Sequence, residues 1–488
     1  MVSSQVLPDG GDVYRDYQEL CKKHRPGTEL HILEILRKRY PGYHVVCASQ
    51  SDCDLLGYAE AGLAVVELDA DDENLDFSRG YKSPDNRLEE KPGILKDDVR
   101  FGRFRYSWKG RDFILYKISH TRMSDWAQEL LFVLSRRTGD KTTTSRNTAI
   151  DELLLDVGTW TGKIHEEIFV FDDGYWQKSS SLWKSIQRAS WDDVILDSKT
   201  KQSLIQDVDG FFDNRKLYAE FSVPWKRGLI FHGLPGNGKT LSIKALMNAL
   251  SARPGPVPSL YVKALDKSCG TDQSSIQSIF QHARVNAPCL LVFEDLDSLI
   301  TDETRSYFLN EVDGLESNDG ILMIGSTNHL EKLDSAISNR PSRFDRKYYY
   351  KLPDHQMRSD YCQYWRKKLE SNKTIGFPSE LCPVIASLTD GFTFAYLNEL
   401  FVTTLLAIAR GDQSIKEAIE GANGEYSSTP GPESDSKHSD NLSIPEGLEE
   451  NVVFKVIRAQ VKILVSEMGN SESESKTAEE KVEDKSSN

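Results

Sequence analysis

Apolar and polar residues alternate along VRFGRFRYSWKGRDFILYKIS, residues 99 to 119, in two runs that meet at Lys109-Gly110. That period predicts two strands joined by a tight turn. Earlier, ELHILEILRKRY (residues 29 to 40) carries apolar positions at helical spacing, and EEIFVF (residues 166 to 171) reads as a further strand. Together these predict an α+β N-terminal domain over residues 1–190. Its aromatic residues Phe104, Tyr106, Trp108, Phe113 and Tyr116 would line a peptide-binding surface or fill a core, and residues at strand spacing more often fill a core.

From Trp191 the pattern changes to short, nearly continuous apolar runs: GLIFHG, SLYVKA, CLLVFED and ILMIGST, separated by helical stretches. Strands without alternation are buried on both faces, as in a parallel sheet covered by helices. An α/β domain is therefore expected over 191–355. Residues 356–468 follow with VIASLTDG, LNELFVTTLLAIAR and VVFKVIRAQVKILVSEM, whose apolar faces recur at helical period and predict a small helical lid. The Ser-, Pro- and Glu-rich insertion at about 420–445 and the acidic tail 469–488 lack the apolar groups a core requires, and both are expected to be disordered.

At 488 residues the chain exceeds one ordinary core. Its 60 basic and 75 acidic residues give a net charge of −15, which opposes nonspecific attraction to nucleic acid, so no nucleic acid partner is expected. Seven scattered cysteines without a CxxC suggest neither a disulfide framework nor a zinc knuckle. The N-terminus has no apolar signal core, and no stretch approaches the ~18 consecutive apolar residues that cross a bilayer. Cytosol or nucleus is the location expected by elimination.

The most specific chemistry lies in GLPGNGKT, residues 233 to 240, which fits G-x-x-x-x-G-K-[ST] between an apolar strand and a helical stretch. Gly233, Leu234, Pro235, Gly236, Asn237, Gly238, Lys239, Thr240 and Leu241 form the expected nucleotide-contacting run. The glycines let backbone N–H groups face the phosphates, Lys239 reaches the β- and γ-phosphates, and Thr240 ligates Mg²⁺. The strand CLLVF then ends in Glu294-Asp295, two carboxylates at the sheet edge where α/β folds bind ligands. An acidic pair alone is usually a solvated loop; beside a phosphate loop, one carboxylate suits the Mg²⁺ shell and the other a water.

With these residues in place, ILMIGSTNHLEKLDSAISNRPSRFDRKYYYKLPD (residues 321 to 354) resembles the sensor and arginine-finger region of the AAA ATPases. The resemblance runs from about Trp191 to Met468. It implies a P-loop fold with a helical lid, ATP and Mg²⁺ as ligands, Asn328 as the sensor beside the attacking water, and Arg340 and Arg343 as arginines acting on a neighbour's nucleotide. A homo-oligomeric ring follows from that last role. WDDVIL (191–196) resembles the adenine-pocket segment, and GFTFAYLNEL (391–400) the start of the sensor-2 helix without its arginine.

Two departures qualify the resemblance. The acidic order is Glu-Asp rather than Asp-Glu, as in the Bcs1-like branch, which implies that Asp295 polarises the water while Glu294 holds the Mg²⁺ shell. Unlike proteins of that branch, this chain shows no membrane anchor. At the pore-loop position stands Lys267-Ser268-Cys269-Gly270, without the gripping aromatic of threading unfoldases. Remodelling of a protein client held by the N-terminal domain is thus expected over threading. His165-Glu166-Glu167 lacks the second histidine of a zinc protease helix. The alternative function is a nucleotide-dependent scaffold with negligible hydrolysis.

Overall fold

The computed structural model describes residues 13, 16–17, 28–69, 75–84, 92–121, 127–137, 148–265, 271–313, 316–338, 340, 343–372, 375–411 and 447–468, with backbone only at 120–121 and 127–128. The expected disordered insertion, the acidic tail and the pore-loop segment 267–270 fall outside these residues. The chain divides into two compact units, residues 1–165 and 166–488.

The first unit is built on an antiparallel sheet of β1 (Tyr43–Ser49), β2 (Val65–Leu68), β3 (Asp76–Lys82), β4 (Ile94–Trp108), β5 (Arg111–Thr121) and β6 (Ala127–Arg136). The order is β1-β6-β5-β4-β2, with β3 also paired to β4. Strands β4 and β5 meet at Lys109-Gly110 as the alternation predicts, and both residues take the positive φ that a two-residue hairpin turn needs. Alternating side chains supply a core on each face. Phe101, Ile114, Tyr116, Phe132 and Leu134 pack under the helix Thr28–Arg39, whereas Phe104, Tyr106, Trp108, Phe113 and Leu131 pack against Leu153 and Val157 of the helix Thr148–Thr161. All five aromatic residues weighed above are therefore core residues.

In the second unit, β7 (Ile168–Asp172), β8 (Tyr175–Ser179), β9 (Lys226–His232), β10 (Ser259–Val262), β11 (Cys289–Phe293), β12 (Ile321–Thr327) and β13 (Arg346–Tyr349) form one sheet in the order β13-β9-β12-β11-β10-β7-β8. Every pair from β13 to β7 is parallel, and β8 closes the edge antiparallel to β7. The strand expected at 166–171 thus pairs with β10, and residues 166–190 belong to the α/β sheet rather than to the N-terminal unit. Ile168 of β7 and Ile186 of the following helix enter the same core as Leu229, Val292 and Ile324. On the opposite face the rings of Phe280, Phe293 and Phe308 meet at centroid distances of 5.4–6.3 Å.

A second core in this unit joins the helices His355–Leu369, Leu381–Leu388, Phe394–Arg410 and 452–468. Asp354 and Thr393 cap the first and third of these by accepting from Met357 N–H and Tyr396 N–H. Among the described residues no helix is long and apolar enough to cross a membrane.

Phe132 is fully buried, and Phe132→Ala is expected to destabilise the first unit by about 3–5 kcal/mol. Leu155→Ser, at a side chain 70% exposed on the helix Thr148–Thr161, should change stability by less than about 0.5 kcal/mol. Urea unfolding followed by tryptophan fluorescence compares the two variants directly.

Candidate functional site

Parallel pairing sets the site. His232 of β9 is in register with Thr327 of β12, and Phe293 of β11 with Gly325 of β12, so the ends of three adjacent strands lie side by side. The loop beginning at Gly233 leaves β9, Glu294-Asp295 leaves β11, and Asn328 leaves β12. Residues separated by about a hundred positions in sequence thereby share one edge of the sheet.

The phosphate loop has the backbone that an anion cradle requires. Gly233, Gly236 and Gly238 all have positive φ. Tyr350 O would lie 2.3 Å from a Cβ at Gly233, and Ala395 Cβ 2.6 Å from one at Gly236. Gly238 precedes the helix Lys239–Ser251, whose first-turn N–H groups have no intrahelical acceptor and face an incoming anion. Lys239 Nζ donates to Gly233 O at 2.6 Å and to Leu234 O at 3.0 Å, so the ammonium lies under the loop. Burial pushes its pKa down, and Asp295, Asp297 and Glu294 oppose that shift, which puts three carboxylates within electrostatic reach of one cation.

The two acidic residues are held differently. Glu294 Oε2 accepts from the Tyr261 hydroxyl at 2.7 Å, while its Oε1 is buried without a partner among the described residues. Burial, followed by the Glu294 carboxylate, pushes the Tyr261 phenol well above its ordinary range, so it stays protonated and donates. Asp295 is exposed and adopts a left-handed backbone, φ 49° and ψ 52°, with its N–H toward Ser326 Oγ at 3.3 Å. Strain of that kind persists where surrounding structure fixes a functional side chain. Thr327 Oγ1 donates to Asp297 Oδ1 at 2.6 Å and accepts from His329 N–H, bracing the turn that carries Asn328. Asp297, two positions beyond Asp295, and Tyr261 are site residues not picked out from the sequence.

The donor set fits a nucleoside triphosphate with magnesium. Among the described residues both side-chain polar atoms of Asn237 are buried without partners, Glu294 Oε1 is similarly unpaired, and the Thr240 hydroxyl is on an exposed residue at the helix start. Residues 191–196 lie between the sheet and the lid. Trp191 and Leu196 pack on the sheet core and Ile195 on the lid core, while Tyr364 of the lid donates to Asp193 at 2.8 Å. From the other lid segment Ala395 N–H donates to Gly236 O at 3.0 Å.

Residues 229–352 match the model of a family described as "ATPase family associated with various cellular activities (AAA)". Residues 229–352 thus form an AAA ATPase domain. That domain contains the loop, the acidic pair, Asn328 and both arginines. Over 245 residues the chain is 29% identical to the ATP-dependent zinc metalloprotease FtsH 3 of Phytoplasma mali, covering 46% of this chain and 40% of that protein. It is 26% identical over 268 residues to the peroxisomal ATPase PEX1 of Arthrobotrys oligospora, covering 51% and 21%. For the ATP-dependent zinc metalloprotease FtsH 2 of a Thermoanaerobacter species the identity is 27% over 269 residues, covering 51% and 49%. The matches span less than half the length of each of these relatives.

The two arginines of the AAA domain occupy the other end of the sheet. Arg343 O would lie 2.1 Å from a Cβ at Gly228, near the start of β9, and Asp345 N–H bonds Gly228 O. Five residues of strand separate Gly228 from Gly233, roughly 17 Å at ~3.3 Å per residue. The expected parity of Arg340 and Arg343 does not hold in the geometry. Arg343 is buried, with Nε and Nη2 on Asp313 at 2.9 and 2.6 Å and Nη1 on Ala336 O, so every guanidinium nitrogen is engaged. Arg340 is 60% exposed and lies 3.7 Å from the same carboxylate. The family resemblance points to both arginines but not to the counter-ion thirty residues away that buries one of them.

The Arg343 guanidinium holds the Asp313 carboxyl below its ordinary value of 3.8, giving a pH signature. Because the folded pKa is depressed, the pair's stabilisation is present above the unfolded carboxylate value and is lost as pH falls through the folded one. Asp313→Asn should destabilise the protein by about 1–3 kcal/mol near neutral pH, less than for a fully buried pair because Asp313 is partly solvated. Urea midpoints of variant and wild type should converge as the pH is lowered below the ordinary carboxylate range.

Proposed function

We propose that this chain binds and hydrolyses ATP in a homo-oligomeric ring, each subunit lending Arg340 to its neighbour's nucleotide. The observation that carries this reading is the convergence of the phosphate loop, Glu294-Asp295 and Asn328 at the ends of three adjacent strands. Lys239 and the helix N-terminus bind the phosphates, Asn237 offers its unpaired amide to them, and Thr240 and Glu294 hold the cation. When bound, magnesium held by Thr240 and Glu294 would offset the negative charge of the phosphates. Asp295, exposed and free of the phenol that ties Glu294, orients the attacking water and takes its proton, and Asn328 fixes that water from the next strand.

Position supports action in trans. Arg343, three residues after Arg340, lies against Gly228 at the end of β9 remote from the loop, and Gly228 is roughly 17 Å along the strand from Gly233. A second subunit would bring the exposed guanidinium to developing phosphate charge, an effect worth ~10³ to 10⁵ in rate in GTPases. Arg343 then acts as a positioning residue that anchors the segment carrying Arg340.

Work on a protein client, engaged through the N-terminal unit of residues 1–165, is the reading we favour for the energy released. The relatives support it in part, since two are ATP-dependent zinc metalloproteases and one is a peroxisomal ATPase. The Glu-Asp order of the acidic pair supports a place in the Bcs1-like branch.

Specific rates of phosphate release should rise with protein concentration, and Lys239→Ala, Asp295→Asn and Arg340→Ala should each lower them by on the order of 10²-fold or more. Mixing Lys239→Ala with Arg340→Ala should restore a fraction of the rate, because some interfaces then pair an intact loop with an intact arginine. Nucleotide binding without phosphate release at any concentration would instead identify a nucleotide-dependent scaffold.

A further inference from the structure

Reversal of the acidic pair places a glutamate, one methylene longer than aspartate, where the magnesium shell is to be held. A longer arm has an additional rotatable bond and more orientations in which its carboxylate misses the cation. Tyr261 supplies the missing restraint. It stands on β10 in register with Val292 of β11, two residues before Glu294 and on the same face of the sheet. Its ring packs partly buried against the sheet core, and its hydroxyl reaches along the strand to Glu294 Oε2 at 2.7 Å. The other oxygen, Oε1, is left buried and unpaired beside the phosphate loop's lysine and carboxylates.

We propose that Tyr261 is a positioning residue for the divalent cation: by holding Oε2 of Glu294 it presents Oε1 alone to the cation's water shell, and leaves the proton-accepting role to Asp295. The division of labour within the reversed pair is then set from the neighbouring strand. Among the described residues Asp295 has no corresponding tether, since its contact with β12 is made by its backbone N–H and not by its carboxylate. The inference rests on the reading of this edge as a magnesium–nucleotide site.

The test compares affinity for a fluorescent ATP analogue in Mg²⁺ and in EDTA, using the full chain. Wild type should bind more tightly with Mg²⁺, and Tyr261→Phe should reduce that gain roughly tenfold while the affinity in EDTA stays within about twofold. Glu294→Asp should also reduce the gain, because the shorter arm no longer reaches the phenol. Adding Tyr261→Phe to Glu294→Asp should cause no further loss, since both changes break one contact. Equal Mg²⁺ gains in wild type and Tyr261→Phe, or losses that add in the double variant, would overturn the role of Tyr261 while leaving the nucleotide site intact. Absence of any Mg²⁺ gain in wild type would remove the magnesium–nucleotide reading and this inference together.

Discussion

Parallel hydrogen bonding imposes the constraint on which the second unit depends, because strands that run the same way end at the same edge of the sheet. Each crossover helix must then return the chain to the opposite edge before the next strand begins. The four registers that join β13, β9, β12, β11 and β10 consequently gather loops from distant parts of the sequence at one rim. The rim is rich in acceptors and backbone N–H groups, while the central strands β9, β12, β11 and β10 beneath it are mostly apolar and buried. That contrast lets a few polar groups act in a rigid, weakly screened setting.

The same directional rule separates two kinds of arginine chemistry from the phosphate loop. Segments that precede a parallel strand lie at the rim where strands begin, and the chain before β13 carries Arg340 and Arg343 there. A buried cation without a counter-ion is costly, and Asp313 meets that cost for Arg343. Arg340 shares the carboxylate at longer range and keeps its guanidinium in solvent. One acidic side chain thus separates an internal brace from an outward-facing group.

Much of this arrangement was legible in the chain. The phosphate loop could be read because its glycines, lysine and threonine occur at fixed spacing between a strand and a helix, and the four central strands because buried parallel strands are apolar throughout. Residues 166–190 were harder: an apolar strand announces itself, but nothing in EEIFVF states which sheet it joins. Strand β13, RKYY, is polar and aromatic and carries no apolar run. The contacts Tyr261–Glu294 and Arg343–Asp313 link residues about thirty positions apart through side-chain direction, which periodicity does not encode.

Ala395 N–H donates to Gly236 O at 3.0 Å and a Cβ at Gly236 would lie 2.6 Å from Ala395 Cβ, so the phosphate loop and the lid's long helix touch at a point where neither has a long side chain to yield. Compliant contacts absorb displacement; one between two main chains transmits it. With Tyr364 tethering the lid a second time at Asp193, the lid is held at two separated points, and a body so held responds to a push at one by rotating about the other. A shift of the loop by a fraction of an ångström would thereby become a larger sweep at the far end of a helix seventeen residues long, the proportions of a crank rather than a hinge.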